Sequence, residues 1–306
     1  MKIRIYSILL LIGAALGCEK GINNTQPTFT ATVNNTRSVI GDTLVFKLGD
    51  TCKFAIGGAA DNIVFYSGES GKKYEYKDRS LALGKTMFSF SSKAEFGTQT
   101  NSLKVFATGK LPARDSATIV NAQWTDITGR LALATNSTVV NSGNIDLSDL
   151  VAGASDSLFI AFKYSGTTGS TQRSWTITNY TVNNVLADYT FNLGSLAADA
   201  SFWTRFGNVW APATRRWTPS ASQLKIDGGD AAVPANTSWI VSKALYVGRV
   251  APDAPVTIKS ISGAGVPLYS YKYSSIGTYK AIFVAFNRDP DELKEVIKEY
   301  NIKVIQ

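Results

Sequence analysis

The 306 residues include no histidine and only two cysteines. The first absence excludes Ser-His-Asp and Cys-His nucleophilic catalysis and any histidine-ligated zinc or iron site. The second excludes a disulfide framework, because Cys18 is expected to be taken up by lipid, as described below, and Cys52 is left without an intramolecular partner. A lone cysteine of this kind belongs in a core. No apolar run reaches the roughly 18 residues that a membrane-spanning helix needs. Runs of one charge are lacking as well: 31 basic and 23 acidic side chains give a net charge of +8 but lie scattered, so no arm for nucleic acid is present. The two glycines of Ser67-Gly68-Glu69-Ser70-Gly71 do not make a phosphate loop, since neither a Lys-Ser/Thr pair nor a helical pattern follows them.

What is present is apolar material. Hydrophobic residues make up 44% of the chain and charged residues 18%, which suits sizeable cores and excludes a disordered protein. Residues 1–17, MKIRIYSILLLIGAALG, carry Lys2 and Arg4, then a short apolar run, then small residues, the order of a secretion signal. Ala15-Leu16-Gly17-Cys18 resembles a bacterial lipobox, which implies cleavage before Cys18 and acylation of that residue. Several acyl chains on one residue exceed the threshold for stable anchoring without a spanning segment. The expectation is a lipid-anchored protein of the outer membrane facing the cell surface, with residues 18–25 as a tether. The roughly 290 residues that remain suit two domains or one large β-domain.

From Thr28 onward the chain alternates apolar and polar residues with the period of strands. Phe29, Ala31 and Val33 mark one strand, and TLVFKL (43–48) and CKFAI (52–56) mark two more, with Gly-Asp turns between them. Asn62 to Tyr66, the turn 67–71 and the alternation around Tyr74 and Tyr76 predict a hairpin. Too few strands precede residue 80 to close a sandwich. The missing ones are expected at the C-terminus, in VTIK (256–259), LYSYKY (268–273), GTYKAIFVAFN (277–287) and YNIKVI (300–305). Leu293, Val296 and Ile297 have helical spacing, so residues 289–299 are expected as a short helix or a loop. All six tryptophans fall within 81–249, a compositional shift that predicts a separate domain there.

The expected fold is therefore all-β: an immunoglobulin-like sandwich from residues 26–80 and 250–306, interrupted by a jelly-roll β-sandwich at 81–249. A serial arrangement of three domains is the alternative. Tyr271-x-Tyr273 followed by Gly277-Thr278-Tyr279 and Asn287 resembles the second half of PKD domains, with Ser67-Gly68-Glu69 in place of their Gly-Asp-Gly turn. LKVFATGKL, AQWTDITGR, SGNIDLSDL, SLFIAFKY and QRSWTITNYTV, in that order, resemble galactose-binding-like jelly rolls. Taken whole, the lipobox, DNIVFYSGESGKKYEYKDR, AQWTDITGR, NTSWIVSKAL and the YSYKY…GTYKAIFVAFN ending resemble a domain-of-unknown-function family of Bacteroidetes surface lipoproteins. That resemblance implies a link to polysaccharide utilisation beside an outer-membrane importer complex, with glycan capture as the role.

The candidate site is the segment 201–217, which gathers three tryptophans and three arginines with few strand signals. Sugars stack their CH faces on indoles and give hydroxyls to arginine, so Trp203, Trp210 and Trp217 are expected as a platform flanked by Arg215 and Arg216. Trp124, Trp175 and Trp239 sit in strand patterns and are assigned to the core. Asp126, Asp146, Asp149, Asp156, Asp188, Asp199, Asp227 and Asp230 could supply a glycosidase pair, but no spacing selects one, and turn aspartates ordinarily accept from backbone N–H groups. No cofactor is expected, although Asp126, Asp146 or Asp149 could hold a structural calcium. The function expected is non-catalytic binding of a polysaccharide or glycoconjugate. The alternative is a structural or adhesive lipoprotein that binds a protein partner through a broad flat apolar patch.

Overall fold

Nearly every alternating segment becomes a strand, and the chain is all-β. The computed structural model describes residues 25–196, 200–207 and 216–306, which divide into two compact units. The leader, Cys18 and the tether up to residue 24 lie outside the described residues.

One unit joins residues up to Tyr74 with Ala254–Gln306. Its smaller sheet runs in the order Thr28–Val33, Cys52–Ala59, Leu268–Tyr271. Its larger sheet runs Val256–Lys259, Asn62–Tyr66, Gly277–Arg288, Leu293–Ile305, Thr43–Lys47, Ser38–Ile40. All neighbours are antiparallel except Leu293–Ile305 and Thr43–Lys47, which pair in parallel with Ile302 opposite Leu44. Between the sheets Phe283 lies 4.6 Å from Phe65 and 4.9 Å from Phe54, ring centre to ring centre. Cys52 is buried in the same core, and burial, helped by the Asp50 carboxylate, pushes its thiol up to about 12. The alternation lapses at Ala281 to Ala285, all buried, because Ile282 and Val284 turn to the other face and pack with Tyr66.

Two segments depart from the expected local structure. Tyr74 and Tyr76 do not form the second arm of a hairpin but a single 3-10 turn. The Tyr74 ring packs edge-on against Tyr66 at 5.3 Å, and strand Asn62–Tyr66 takes its partners from the distant Val256–Lys259 and Gly277–Arg288. Residues 293–299 are not helical: they begin a 13-residue strand that pairs with Gly277–Arg288 from Leu293 to Val304. The ladder of an adjacent long strand outweighs three apolar residues at helical spacing, two of which are β-branched.

The turn after Tyr66 is organised by Glu69. Gly68 has φ of 82° and runs so close to the neighbouring strand that a Cβ would lie 2.7 Å from the Lys280 carbonyl oxygen. Glu69 then accepts from the Tyr271 hydroxyl, from Ser274 N at 3.0 Å and from Ser274 Oγ at 2.7 Å. Burial alone would raise this carboxyl, but the hydrogen bonds from Tyr271, Ser274 and Ser67 outweigh it and hold the group below its usual value of 4.5. A carboxylate whose pKa is depressed by folding contributes stability at pH above the unfolded value and loses it as pH falls through the folded one. Glu69→Gln is thus expected to cost about 1 kcal/mol at pH 7, small because the carboxylate is partly solvated. The difference between variant and parent in urea unfolding should shrink below pH 4.5; a difference independent of pH would contradict the assignment.

The second unit is Glu75–Asp253, again two sheets face to face. Seven strands form one sheet: Ile145–Asp146, Lys85–Glu95, Ser174–Val185, Leu224–Ile226 and Thr218–Pro219 in order, with Val140–Asn141 and Thr190–Ser195 at the sides. The six-stranded sheet runs Trp203–Gly207, Asn236–Ser242, Ser157–Gly166, Leu103–Thr108, Thr125–Asp126, with Leu245–Tyr246 paired to Ser157–Gly166. Phe88, Phe90, Phe162, Ile177 and Tyr180 fill the space between. The outer face of the six-stranded sheet buries Phe159, Trp239 and Val241 beneath Leu111 and Ile119. Ile119 belongs to a short helix, Ser116–Asn121, whose N-cap Asp115 accepts from Thr118 N at 2.9 Å.

Candidate functional site

The expected tryptophan platform is not where the aromatic surface is. Trp203 is 6% exposed, with its ring 5.1 Å from Tyr180 and 4.9 Å from Phe202. Trp217 has no exposure and donates Nε1–H to the Ser238 carbonyl at 3.2 Å. Both indoles therefore fill the core of the second unit and present no face to a sugar. The physical reason is area: a sandwich of this size needs large side chains between its sheets, and indoles supply them. Arg216 is half-buried, and Trp210 and Arg215 lie outside the described residues. Trp175 belongs to the core as expected, and so does Trp239, although on the outer face of its sheet. Trp124 is only half-buried; it covers Trp239 at 5.9 Å and is tied down by its Nε1–H bond to the Ile119 carbonyl at 2.8 Å.

The aspartates are mostly occupied. Asp149 makes a two-point pair with Arg130 at 2.7 and 2.9 Å, and Asp126 pairs with Lys104 at 3.0 Å while accepting from Thr128 N at 3.0 Å. Asp146, Asp156 and Asp230 accept from backbone N–H groups within their own turns. Asp227 pairs with Lys225 at 2.9 Å. Asp199 lies outside the described residues. Among the described residues no cluster of three metal-ligating side chains is assembled, so Asp126, Asp146 and Asp149 do not come together as a calcium cage.

The surface that offers recognition chemistry is at the end of strand Lys85–Glu95. Phe96 follows it with φ of 59°, a backbone region that bulky residues rarely occupy, and the residue is 72% exposed. Gly97 keeps the same sign of φ, and a Cβ there would sit 2.0 Å from the Thr171 carbonyl oxygen, so the loop is pressed against the 167–171 turn. Gln99 clamps the two together: its Nε2 donates to the Thr167 and Ser170 carbonyls at 2.7 and 3.1 Å, and its Oε1 accepts from Thr167 N at 3.0 Å. The exposed aromatic residue thus stands on a loop that is strained at Phe96 and braced by Gln99.

Phe96 lines a hollow of about 490 Å³, and an adjoining one of about 240 Å³ shares Thr135 and Arg173 with it. Arg173 Nη1 donates to the Thr135 carbonyl at 2.6 Å, while its Nε is buried with no partner among the described residues. Glu95, Asn136 and Ser137 line the larger hollow; Gln99, Asn101 and Trp175 line the smaller. Trp175 is fixed by its Nε1–H bond to Ser102 Oγ at 3.0 Å. The cleft thus combines a flat apolar ring with planar amides, hydroxyls and a guanidinium, the mixture that binds polyhydroxylated rings. Glu95 pairs with Lys93 at 3.0 Å and is the one carboxylate lining the cleft among the described residues.

Residues 17–202 match the family described as a domain of unknown function (DUF5017). The chain belongs to this family. The match takes in every residue that lines the Phe96 cleft. No curated protein and no solved structure matches the chain. The residues that sequence reasoning missed carried one weak signal: at the end of strand Lys85–Glu95 a single aromatic, Phe96, precedes a glycine and the polar run Thr98-Gln99-Thr100-Asn101-Ser102.

Proposed function

We propose that this member of the DUF5017 family captures a polysaccharide or glycoconjugate without catalysis, using the Phe96 cleft of its second unit. The observation that carries the reading is the solvent-facing Phe96 ring on a clamped loop beside the half-satisfied Arg173 guanidinium. The ring stacks on the CH face of a sugar, and Arg173, Asn136 and Asn101 supply donors and acceptors for its hydroxyls. Glycosidases work with two carboxyl groups flanking the scissile bond, and the ion pair that occupies Glu95 favours binding over hydrolysis. The lipobox at Cys18 supports a place on the outer membrane facing the cell surface, beside an importer of the captured glycan.

The test is retardation in polysaccharide affinity gels, followed by calorimetry on any glycan that retards the protein. Phe96→Ala should weaken binding at least about tenfold, or about 1.4 kcal/mol, with the thermal transition unchanged because the ring is exposed. Arg173→Gln should weaken it less. Full affinity in Phe96→Ala would remove the cleft from the reading, and failure to bind any glycan would turn the reading to a protein partner.

A further inference from the structure

Strand Leu103–Thr108 begins at the Phe96 cleft, and its far end leads into a different cleft of the same unit, about 450 Å³ in volume. Three cations line it, Arg114, Lys243 and Arg249, and no carboxylate does so among the described residues. Each is held from within by apolar or neutral groups. Arg114 Nη1 donates to the Ser201 and Phe202 carbonyls, both at 3.2 Å. The Lys243 ammonium sits 5.3 Å from the centre of the Phe202 ring, and the Arg249 guanidinium 5.9 Å from that of Phe191. Positive charges gathered without a counter-charge repel one another, and an incoming anion relieves that repulsion while gaining charge-assisted hydrogen bonds. Tyr246 stands at the cleft with 55% of its surface exposed, over an apolar floor that includes Phe159 and Leu193.

We propose that this cleft binds the carboxylate or sulfate group of an acidic sugar, the anion held by Arg114, Lys243 and Arg249 and the ring set against Tyr246. The volume falls within the range of small-ligand clefts. The proposal takes from the preceding section only that the ligand is a glycan; the charge preference comes from this cleft alone. It makes the second unit a binder with two points of contact, one at each end of strand Leu103–Thr108, so that an acidic polysaccharide is preferred over a neutral one of the same backbone.

Calorimetry in about 0.15 M salt, where exposed charges are largely screened beyond about 8 Å, should compare an oligogalacturonide, a sulfated galactan, a neutral galactan, polyglutamate and inorganic sulfate. The parent protein is expected to bind at least one of the two acidic glycans more tightly than the neutral one. Lys243→Gln with Arg249→Gln should weaken that binding at least about tenfold, and Tyr246→Ala should weaken it without changing its salt dependence. These three side chains are exposed, so folding is not at stake. Lys272→Gln with Lys298→Gln, a charge-matched change in the other unit, should leave affinity intact. The proposal is overturned if neither acidic glycan binds, if polyglutamate or sulfate alone binds as tightly as the sugar, or if the control pair weakens binding equally. Phe96→Ala separates the two readings: unchanged binding there with loss in the Lys243/Arg249 variant removes only the Phe96 cleft, and the converse removes only this one.

Discussion

Trp217→Ala is expected to destabilise the second unit by about 3–5 kcal/mol, the range for deleting a large aromatic from a core. The indole has no exposed surface, packs 6.1 Å from the Phe162 ring, and satisfies a buried Ser238 carbonyl through Nε1. Removing it leaves a cavity between two sheets that cannot close up, because strands Ser157–Gly166 and Asn236–Ser242 are pinned by a continuous ladder. It also leaves the Ser238 carbonyl without this donor, which adds a desolvation cost. Trp217→Phe keeps most of the packing and should cost less than half as much. Urea unfolding followed by tryptophan fluorescence measures both. A variant with parental stability and lost glycan retention would restore Trp217 as an exposed platform.

Asp253→Ala should cost the same unit about 3 kcal/mol or more. Asp253 and Arg79 pair at 3.1 Å with side chains only 3% and 13% exposed, near the two ends of the Glu75–Asp253 segment. Arg79 lies over the Tyr76 ring at 4.0 Å, and its Nε already has no hydrogen-bond partner among the described residues. Deleting the carboxylate leaves a guanidinium buried with its charge uncompensated, which is more damaging than never having had the pair. The double variant Arg79→Met, Asp253→Leu removes both charges and should recover much of the loss. A double-mutant cycle in urea at pH 7 measures this directly. A loss in the double variant equal to the sum of the two single losses would show that the two side chains act independently.

Much of this architecture is written in the period of the chain. The two-residue alternation of Leu103 to Thr108 and of Lys85 to Glu95 is a local property, and it survives into the structure because a buried sheet face selects for it. The burial of lone Cys52 and the use of turn aspartates as backbone acceptors are likewise matters of side-chain chemistry acting within a few residues. Membership of the all-β class follows from those local rules.

Pairing at a distance is another matter. Whether residues 293–299 coil or extend was decided by the strand Gly277–Arg288 lying alongside, and whether Tyr74 and Tyr76 pair was decided by partners some 200 residues away. The same holds for the site. Tryptophan is large, apolar and able to stack, so its identity suits a core and a sugar platform equally; only the opposing sheet, which places Tyr180 against Trp203, put that indole inside. Phe96 faces water for the converse reason. Its strand ends at Glu95, and the Gln99 clamp and the close approach of Gly97 to Thr171 turn the chain, leaving the residue 72% exposed. Local periodicity specifies which residues can be buried, and the packing of one sheet on another decides which of them are.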